Sequence, residues 1–283
     1  MVVAQDGSFA GSVSGGCVEA AVIVEAQEAI AESRARMLDY GVSDADAFAV
    51  GLACGGHIRL LVEPVGAVLP VPMLTAMAEA RSRRASFAYV VNLATGARGM
   101  RNEDAILAKR FQTDLSGIEG DEFIALHLPP PRLILVGAVQ IAQAMLPIAR
   151  ILGHEPILID PRTAFATAER FPDIRICSDW PDRILPDLGL DARSALVTLS
   201  HEARIDDPAL MLALRSRAAY VGALGSRRTQ AARAIRLSAA GLAPGDLARL
   251  KAPVGLPIGA TTSAEIGLSI MADIVAAFRG VGR

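Results

Sequence analysis

The chain has 283 residues, of which 52% are hydrophobic and 20% charged, with a formal net charge of −2. This composition is that of a globular chain with room for two domains, and it excludes a fibrous or disordered protein. The near-neutral charge predicts no nucleic-acid partner. No signal peptide is evident, and the uncharged run 133–149 contains Pro147 and fits a buried strand and helix, so no membrane association is expected. Three cysteines without CxxC spacing predict no disulfide framework and a reducing, cytoplasmic setting.

A glycine- and serine-rich stretch with one cysteine, residues 7–19, lies close to the start of the chain. Its sequence is GSFAGSVSGGCVE. Only glycine tolerates every backbone conformation, so Gly15 and Gly16 would let the main chain approach a ligand closely. Ser14 can serve as an N-cap, which would place Cys17 in the first helical turn, where the helix dipole favours a thiolate. The residues equally fit a hairpin followed by a helix that buries a small cysteine.

The first half of the chain mixes strands and helices. Asp6-Gly7 favours a tight hairpin turn, and an apolar periodicity predicts a helix after Cys17. A second glycine-rich stretch, residues 51–56, contains Cys54. Two thiols could bind a soft metal, but they fall short of the four ligands of a structural zinc site. The remaining predicted elements are strands over residues 57–63, 87–93 and 122–128 and a helix over residues 72–83.

Three consecutive prolines, residues 129–131, mark the clearest boundary in the sequence. They stiffen the chain and cannot lie inside a helix or a central strand. The boundary predicts two domains, residues 1–128 and 129–283. Before it, residues 98–120 are polar and poorly periodic, and no regular structure is predicted there.

Short apolar runs alternate with helical patterns in the second half. This alternation is typical of parallel βαβ units, and it predicts a doubly wound sheet whose ligand lies beyond the carboxyl ends of the strands. Thr262 and Glu265 have the spacing of a capping box at the start of a last helix. The predicted strands cover residues 133–136, 156–159, 174–176, 195–199 and 219–221, and the predicted helices cover residues 141–152, 163–171, 208–216, 227–240 and 263–278.

Gly137 stands where a dinucleotide-binding fingerprint would begin, at the end of the first of these strands. Asp160 ends the next strand at about the spacing of a ribose-binding acid. The second fingerprint glycine is replaced by Val139, whose side chain would obstruct the pyrophosphate, so NAD(P) in its usual pose is disfavoured. A tight strand-to-helix turn without a ligand remains the alternative.

Two further loops follow predicted strands of the same sheet. His201 is a candidate ligand contact or acid/base, or else a surface residue. Gly225, Ser226 and Arg227 lie between a strand and a helix and offer backbone N–H groups, a hydroxyl and a guanidinium for an anion. An ordinary turn with solvated arginines is the alternative.

Taken together, these blocks resemble the XdhC/CoxI family, the accessory factors of xanthine dehydrogenase and related molybdenum hydroxylases. The resemblance implies an α/β protein in which an N-terminal α+β XdhC/CoxI domain is followed by a C-terminal Rossmann-like doubly wound parallel-sheet domain. The matching stretches are residues 7–19, 51–56, 160–162, 220–228, 253–256 and 263–266.

The resemblance also implies a non-catalytic role. Such proteins bind molybdenum cofactor, as molybdopterin or its cytosine dinucleotide form, and protect it. A cysteine desulfurase partner supports its sulfuration, and the cofactor passes to an apo molybdenum hydroxylase. Cys17 matches the family cysteine implicated in holding the cofactor and would contact its molybdenum, and a homodimer is expected. Gly15, Gly16 and Cys54 would shape this pocket, and the second crevice would use Gly137, Asp160, His201, Gly225, Ser226 and Arg227.

The sequence departs from the family pattern at three places. Val139 and Gln140 stand in a block where the family has G-A-G-H, and Ser200 and Glu202 flank His201 where the family has T-H-D. Met1 falls just upstream of the first motif. Two alternatives remain. One is an NAD(P)-dependent oxidoreductase that uses the Rossmann-like domain, against which Val139 and the lack of a recognisable catalytic pair count. The other is a degenerate family member that only docks a partner, which the departures at Val139 and at the start of the chain favour.

Overall fold

The structure is a computed structural model that describes residues 1–41 and 57–281. Its contacts divide the chain into two units. The first unit contains residues 1–104 and 115–128, and the second contains residues 105–114 and the chain from Pro129 onwards. The chain therefore enters the second unit at the proline run, and residues 105–114 belong with that unit although they precede the run.

In its described residues, the first unit is built from antiparallel strands and two helices. Its elements are β1 (Val2–Val3), β2 (Phe9–Ala10), α1 (Glu19–Glu32), β3 (Arg36–Tyr40), β4 (Ile58–Val62), α2 (Val71–Ser82), β5 (Phe87–Asn92), β6 (Arg98–Arg101), β7 (Gly117–Glu119) and β8 (Glu122–His127), while α3 (Ala108–Thr113) belongs to the second unit. β1 and β2 form a hairpin, β3 pairs with β4, and the remaining strands form a four-stranded sheet in the order β6-β5-β8-β7.

The core of the first unit lies between α2 and the central strand β5. Met77 and Ala80 of α2 pack against the alternating side chains Phe87, Tyr89 and Val91 of β5. The predicted helix after Cys17 is confirmed as α1, with its apolar stripe buried. Residues 98–120, for which the sequence predicts no structure, contain β6, α3 and β7. These elements are short, and the two strands are defined by pairing with β5 and β8 rather than by an apolar periodicity.

The second unit is a six-stranded sheet in which every neighbouring pair is parallel. Its elements are β9 (Arg132–Val136), α4 (Gln140–Ile151), β10 (Glu155–Ile159), β11 (Arg175–Cys177), α5 (Pro181–Leu188), β12 (Ser194–Thr198), α6 (Ala203–Arg215), β13 (Tyr220–Ala223), α7 (Arg227–Ala239), α8 (Pro244–Leu247), β14 (Leu250–Lys251) and α9 (Ser263–Phe278). The strand order is β11-β10-β9-β12-β13-β14, the order of a doubly wound Rossmann-type sheet, so the predicted fold class is confirmed.

Helices cover both faces of this sheet. Side chains of β9 alternate between two buried clusters, Leu133 and Leu135 in one and Ile134 and Val136 in the other. The first cluster includes residues of α4 and α9, and the second includes residues of α5, α6 and α7. Burying each such side chain contributes roughly 1.5–3 kcal/mol, so the paired faces hold the strand ends in register. The predicted capping box of α9 is confirmed, with Thr262 and Glu265 bonded reciprocally.

Two predicted helices of this unit need correction. Residues 163–171 are a series of turns, not a helix. The Arg170 side chain donates to the carbonyls of Ala138 and Phe165, and these tertiary hydrogen bonds compete with a regular helix. The helix predicted to begin at Pro208 begins at Ala203, so Pro208, which has no backbone N–H to donate, lies inside α6 and not in its first turn. In the described residues, no helix has both the length and the apolar character needed to cross a membrane.

Candidate functional site

The loop that carries Cys17 is built around the carboxylate of Glu19, the first residue of α1. Oε1 of Glu19 accepts hydrogen bonds from the Ser12 hydroxyl at 2.5 Å and from the N–H groups of Val13 and Ser14 at 3.0 and 2.9 Å. Oε2 accepts from the Ser14 hydroxyl at 2.7 Å and from two further N–H groups, those of Gly16 at 2.9 Å and Val18 at 3.2 Å. One side chain therefore organises the whole turn.

The two serines of this loop satisfy the other backbone donors. Oγ of Ser12 accepts from the N–H of Gly15, and Oγ of Ser14 accepts from the N–H groups of Cys17 and Val18. Each N–H from residue 13 to residue 18 is thus bonded to a side chain of the same loop. An anion cradle needs free N–H groups, so this loop is not one.

Hydrogen bonding fixes the charge state of Glu19. The hydroxyls of Ser12 and Ser14, followed by the N–H of Ser14, hold the pKa of Glu19 far below its ordinary value. The carboxylate is therefore ionised throughout the neutral range. Glu19 is not among the functional residues predicted from the sequence. The sequence feature that could have identified Glu19 is an acidic residue between the Gly-Gly-Cys motif and the apolar helix. A carboxylate is favourable at that position, the N-terminus of a helix.

Cys17 lies outside the helix, contrary to the prediction that Ser14 would cap it. α1 begins at Glu19 with Val18 as its N-cap, because Glu19 draws the hydroxyl of Ser14 into the loop instead. The thiol is half-buried. Gly15 and Gly16 have φ values of +77° and +114°, which favour glycine, and a methyl group built on either would meet no atom of the described chain within 4 Å. Among the described residues, the space at these two glycines is therefore open.

In the described part of this loop, the soft metal ligand is the thiol of Cys17. Cys54, the second predicted cysteine, lies outside the described residues. Across residues 1–41 and 57–281, no group of three or more His, Cys, Asp or Glu side chains could hold a metal ion. Among the described residues, Cys17 could supply one soft ligand to a metal, which is too few for a resident metal site.

The second candidate site lies at the carboxyl edge of the parallel sheet, where the strand order reverses between β9 and β12. Gly137 follows β9 with a φ of +117°, and a methyl group built on it would lie 2.7 Å from the backbone nitrogen of Ser200. The loops that follow β9 and β12 therefore touch directly, and only glycine permits this approach.

Asp160 is placed beneath these loops and not in a ligand crevice. Its side chain is fully buried, and it accepts hydrogen bonds from the N–H of Ala138 and from the N–H, Nε and Nη2 of Arg162, at distances of 2.7 to 2.9 Å. Burial alone would raise the pKa of Asp160, but these hydrogen bonds outweigh it and lower the pKa. The predicted contact of Asp160 with a ribose is not compatible with this burial, so Asp160 positions the loops instead.

Arg162 links Asp160 to the loop after β12. Its Nη1 donates to Oε1 of Glu202 at 2.6 Å, while the rest of its guanidinium faces Asp160. The hydrogen bond with Asp160, followed by that with Glu202, raises the pKa of Arg162. This ion pair spans from the β10 loop to the β12 loop across the end of β9, the place where a pyrophosphate would approach.

A buried polar network below the same edge is likewise not evident from the sequence. The Ser200 hydroxyl donates to Asp206 at 2.6 Å and accepts from the N–H of Glu202 at 3.1 Å. Arg233, only 2% exposed, contacts Asp206 at 3.4 Å and donates to the carbonyl of Leu224 at 3.2 Å. Burial raises the pKa of Asp206. This network ties the loops after β12 and β13 to α6 and α7.

The remaining predicted residues lie at the surface of this edge. His201 is exposed and has a φ of +61°. Its neighbours Ser200 and Glu202 are held by hydrogen bonds. Gly225 has a φ of +142°, and Ser226 is the N-cap of α7 and accepts from the N–H of Thr229. Arg227 begins the helix and is exposed. The hydroxyl of Ser226 is thus already engaged, and the exposed cationic group of the predicted anion site is Arg227.

These two units define a class of protein: an antiparallel unit that presents a cysteine on a carboxylate-organised loop, followed along the chain by a Rossmann-type domain. Residues 133–274 match the family described as the XdhC Rossmann domain, and residues 1–41 match the XdhC and CoxI family. The chain belongs to the XdhC and CoxI family, as its motifs predicted.

Relatives extend over most of the chain. The "Molybdenum cofactor insertion chaperone PaoD" of Escherichia coli (strain K12) is 28% identical over 97% of this chain and 76% of that protein. A protein of Bacillus subtilis (strain 168) named as a probable xanthine dehydrogenase component is 30% identical over 54% of this chain and 44% of that protein. A crystal structure described as a xanthine dehydrogenase from Bacillus halodurans superposes with a TM-score of 0.72 at 25% identity, covering 98% of this chain and 85% of the other.

Proposed function

We propose that this protein is a non-catalytic accessory factor that binds molybdenum cofactor, supports its sulfuration and delivers it to an apo molybdenum hydroxylase of the xanthine, aldehyde or CO dehydrogenase type. The observation that carries the proposal is the likeness to a molybdenum cofactor insertion chaperone over nearly the whole chain. A cysteine desulfurase and the hydroxylase are the proposed partners, and the protein acts as a homodimer.

The Cys17 loop supplies the holding group. Its thiolate is a soft ligand suited to molybdenum in a dithiolene, which is the centre that the cofactor brings when bound. The open surface at Gly15 and Gly16 leaves room for a bulky pterin beside the thiol. Glu19 acts as a positioning residue. It accepts hydrogen bonds from backbone N–H groups on both sides of Cys17, and these bonds fix the position of the thiol. We include Cys54 in this pocket.

Loops at the carboxyl edge of the sheet hold the phosphate-bearing end of the pterin or of its nucleotide form in this proposal. Arg227, Gly225 and Ser226 face that end at the start of α7, with His201 on the neighbouring loop. Gly137 and Asp160 keep the loops in place from below. The usual NAD(P) pose is disfavoured, because Val139 replaces a fingerprint glycine and Asp160 is buried against Arg162.

The test is cofactor content after purification of the Cys17→Ala variant from molybdenum-replete cells. Loss of a direct metal ligand is expected to lower copurified molybdenum and fluorescent pterin by about tenfold or more. Cys177→Ala is the matched control, because Cys177 is also half-buried but ends β11 in the other unit.

Unchanged molybdenum and pterin in the Cys17→Ala protein would overturn the role of Cys17. A wild-type protein that never carries pterin, yet binds an apo hydroxylase, would favour a degenerate family member that only docks a partner. Tight stoichiometric binding of NADPH, followed by its fluorescence, would favour the oxidoreductase alternative.

A further inference from the structure

The Rossmann-type unit has a cavity at the edge of its sheet opposite the candidate ligand loops. It has a volume of about 510 Å³, within the range of small-molecule sites. Strands β9, β10 and β11 contribute residues from their amino ends, so the carboxyl-edge loops take no part in it. The residues lining it are Arg132, Arg150, His154, Glu155, Pro156, Ile157, Asp173 and Arg175.

Cationic groups outnumber acidic groups in this lining. Arg132 approaches Glu155 at 3.7 Å, and Arg150 approaches Asp173 at 3.8 Å, so two arginines are balanced by two acids. Arg175 is exposed and forms no ion pair with any residue of the described chain. The cavity therefore keeps one uncompensated guanidinium.

His154 packs into the same wall. Its side chain is 9% exposed, and its ring stands edge-on to Phe278 with the centroids 5.7 Å apart. Nδ1 of His154 is buried, so it lies behind the surface of the cavity and does not reach a ligand there. The charge of the cavity therefore comes from its arginines.

We propose that this cavity, the amino-edge cavity, binds the phosphate group of a small molecule. Arg175 supplies the charge and a planar fork of donors that matches phosphate oxygens. Arg132 is held by the carbonyls of Leu188 and Gly189 and by Glu155, so it fixes the wall and leaves the first contact to Arg175. The site is separate from Arg227, which lies at the opposite edge of the same sheet.

The experiment is calorimetric titration of the full chain with inorganic phosphate in phosphate-free buffer. The Arg175→Gln variant is expected to weaken binding on the order of tenfold, because it removes the charged hydrogen bonds to the phosphate. Arg217→Gln is the matched control, since Arg217 is exposed, lies in the same unit and is not part of the cavity.

Two more variants sharpen the assignment. Glu155→Gln is expected to tighten phosphate binding, because it removes a negative charge from the lining. The titrations are also made in the Arg227→Gln background, so that phosphate held at the loops proposed for the cofactor does not contribute. Binding in that background that Arg175→Gln leaves unchanged would overturn the proposal without touching the role of Cys17.

A parallel titration with ribose 5-phosphate distinguishes the source of the phosphate. Tighter binding than inorganic phosphate assigns the cavity to a phosphate monoester, and equal binding assigns it to the free ion. Absence of any binding by the wild-type chain, or equal affinity in the wild-type and Arg175→Gln proteins, would overturn the site.

Discussion

The Cys17 loop and the loops at the carboxyl edge of the sheet are both organised by a carboxylate, but at different ranges along the chain. Glu19 collects hydrogen bonds from residues 12–18, which lie directly before it in sequence. Asp160 accepts a hydrogen bond from the N–H of Ala138, which lies in the loop after β9. Its partner Arg162 donates to Glu202, which lies in the loop after β12. The hydrogen bonds of Glu19 therefore stay within one loop, whereas those of Asp160 and Arg162 join loops that follow three different strands.

This difference predicts opposite results when the two carboxylates are disturbed. A change at Glu19 should alter how one loop presents its thiol and leave the rest of the unit folded. A change at Asp160 should propagate to three strand ends. Substitutions at the two positions separate these outcomes.

The largest effect is expected for Asp160→Asn. The substitution removes the buried charge that faces Arg162, and the remaining amide cannot accept all four hydrogen bonds. Breaking such a buried pair should lower the free energy of unfolding by about 4 kcal/mol. Denaturant unfolding of the purified variant measures it.

Asp207→Asn is the control for this loss. Asp207 also pairs with an arginine, Arg236, but that pair is more exposed, so its removal should cost about 1 kcal/mol or less. If the two variants lost equal stability, Asp160 would not organise the loops in the way proposed.

Elements whose own residues carry the signal are predictable from the sequence. The strand run of β9 and the capping box Thr262-x-x-Glu265 are local patterns, and both appear in the structure. For residues 98–120 and 163–171 the prediction is wrong, because their conformation depends on partners elsewhere, such as β5 and β8 for the first. Short segments of this kind carry no periodicity to detect.

Sequence motifs identify candidate residues, but they do not predict the role that each residue has in the structure. The motifs predict that Gly137 and Asp160 meet a ligand, and the structure uses them to join loops. The ion pair of Asp206 and Arg233 is not predictable, because residues 27 positions apart in two helices become partners only after the sheet forms. The sequence gives the chemical type of each side chain. Burial decides whether that side chain binds a ligand or joins loops, and burial depends on the tertiary structure.

A smaller effect is expected from paired glycine substitutions in the two sites. Gly137→Ala should lower the free energy of unfolding by about 3 kcal/mol, since it combines a positive φ with contact to the backbone of Ser200. Gly15→Ala has the positive φ without the contact and should cost about 1 kcal/mol. Equal costs for the two, measured by thermal or denaturant unfolding, would show that close packing does not distinguish the carboxyl-edge loops.

The smallest global effect, and the most local one, is expected from the titration of Glu19. Because the pKa of Glu19 is lower in the folded chain than in the unfolded chain, its hydrogen bonds stabilise the loop fully above about pH 4.3. This contribution is lost progressively as the pH falls below that value towards the depressed pKa. The protection of the Gly16 and Val18 amides, measured by NMR hydrogen exchange relative to the intrinsic rate at each pH, should fall in this window while α1 remains folded.

Glu265 provides an internal reference for the same titration. The N–H groups of Thr261 and Thr262 lower the pKa of Glu265 to about 2, so the start of α9 should also loosen only in acid. Glu19→Gln should accelerate exchange at Gly16 and Val18 already at neutral pH, because an amide NH2 cannot accept the hydrogen bonds that Oε2 receives. The Glu265 reference should stay unchanged in that variant. Equal protection of the two amides with and without the Glu19 carboxylate would mean that the loop is held by its serines alone, and Cys17 would then need no acidic neighbour to be presented.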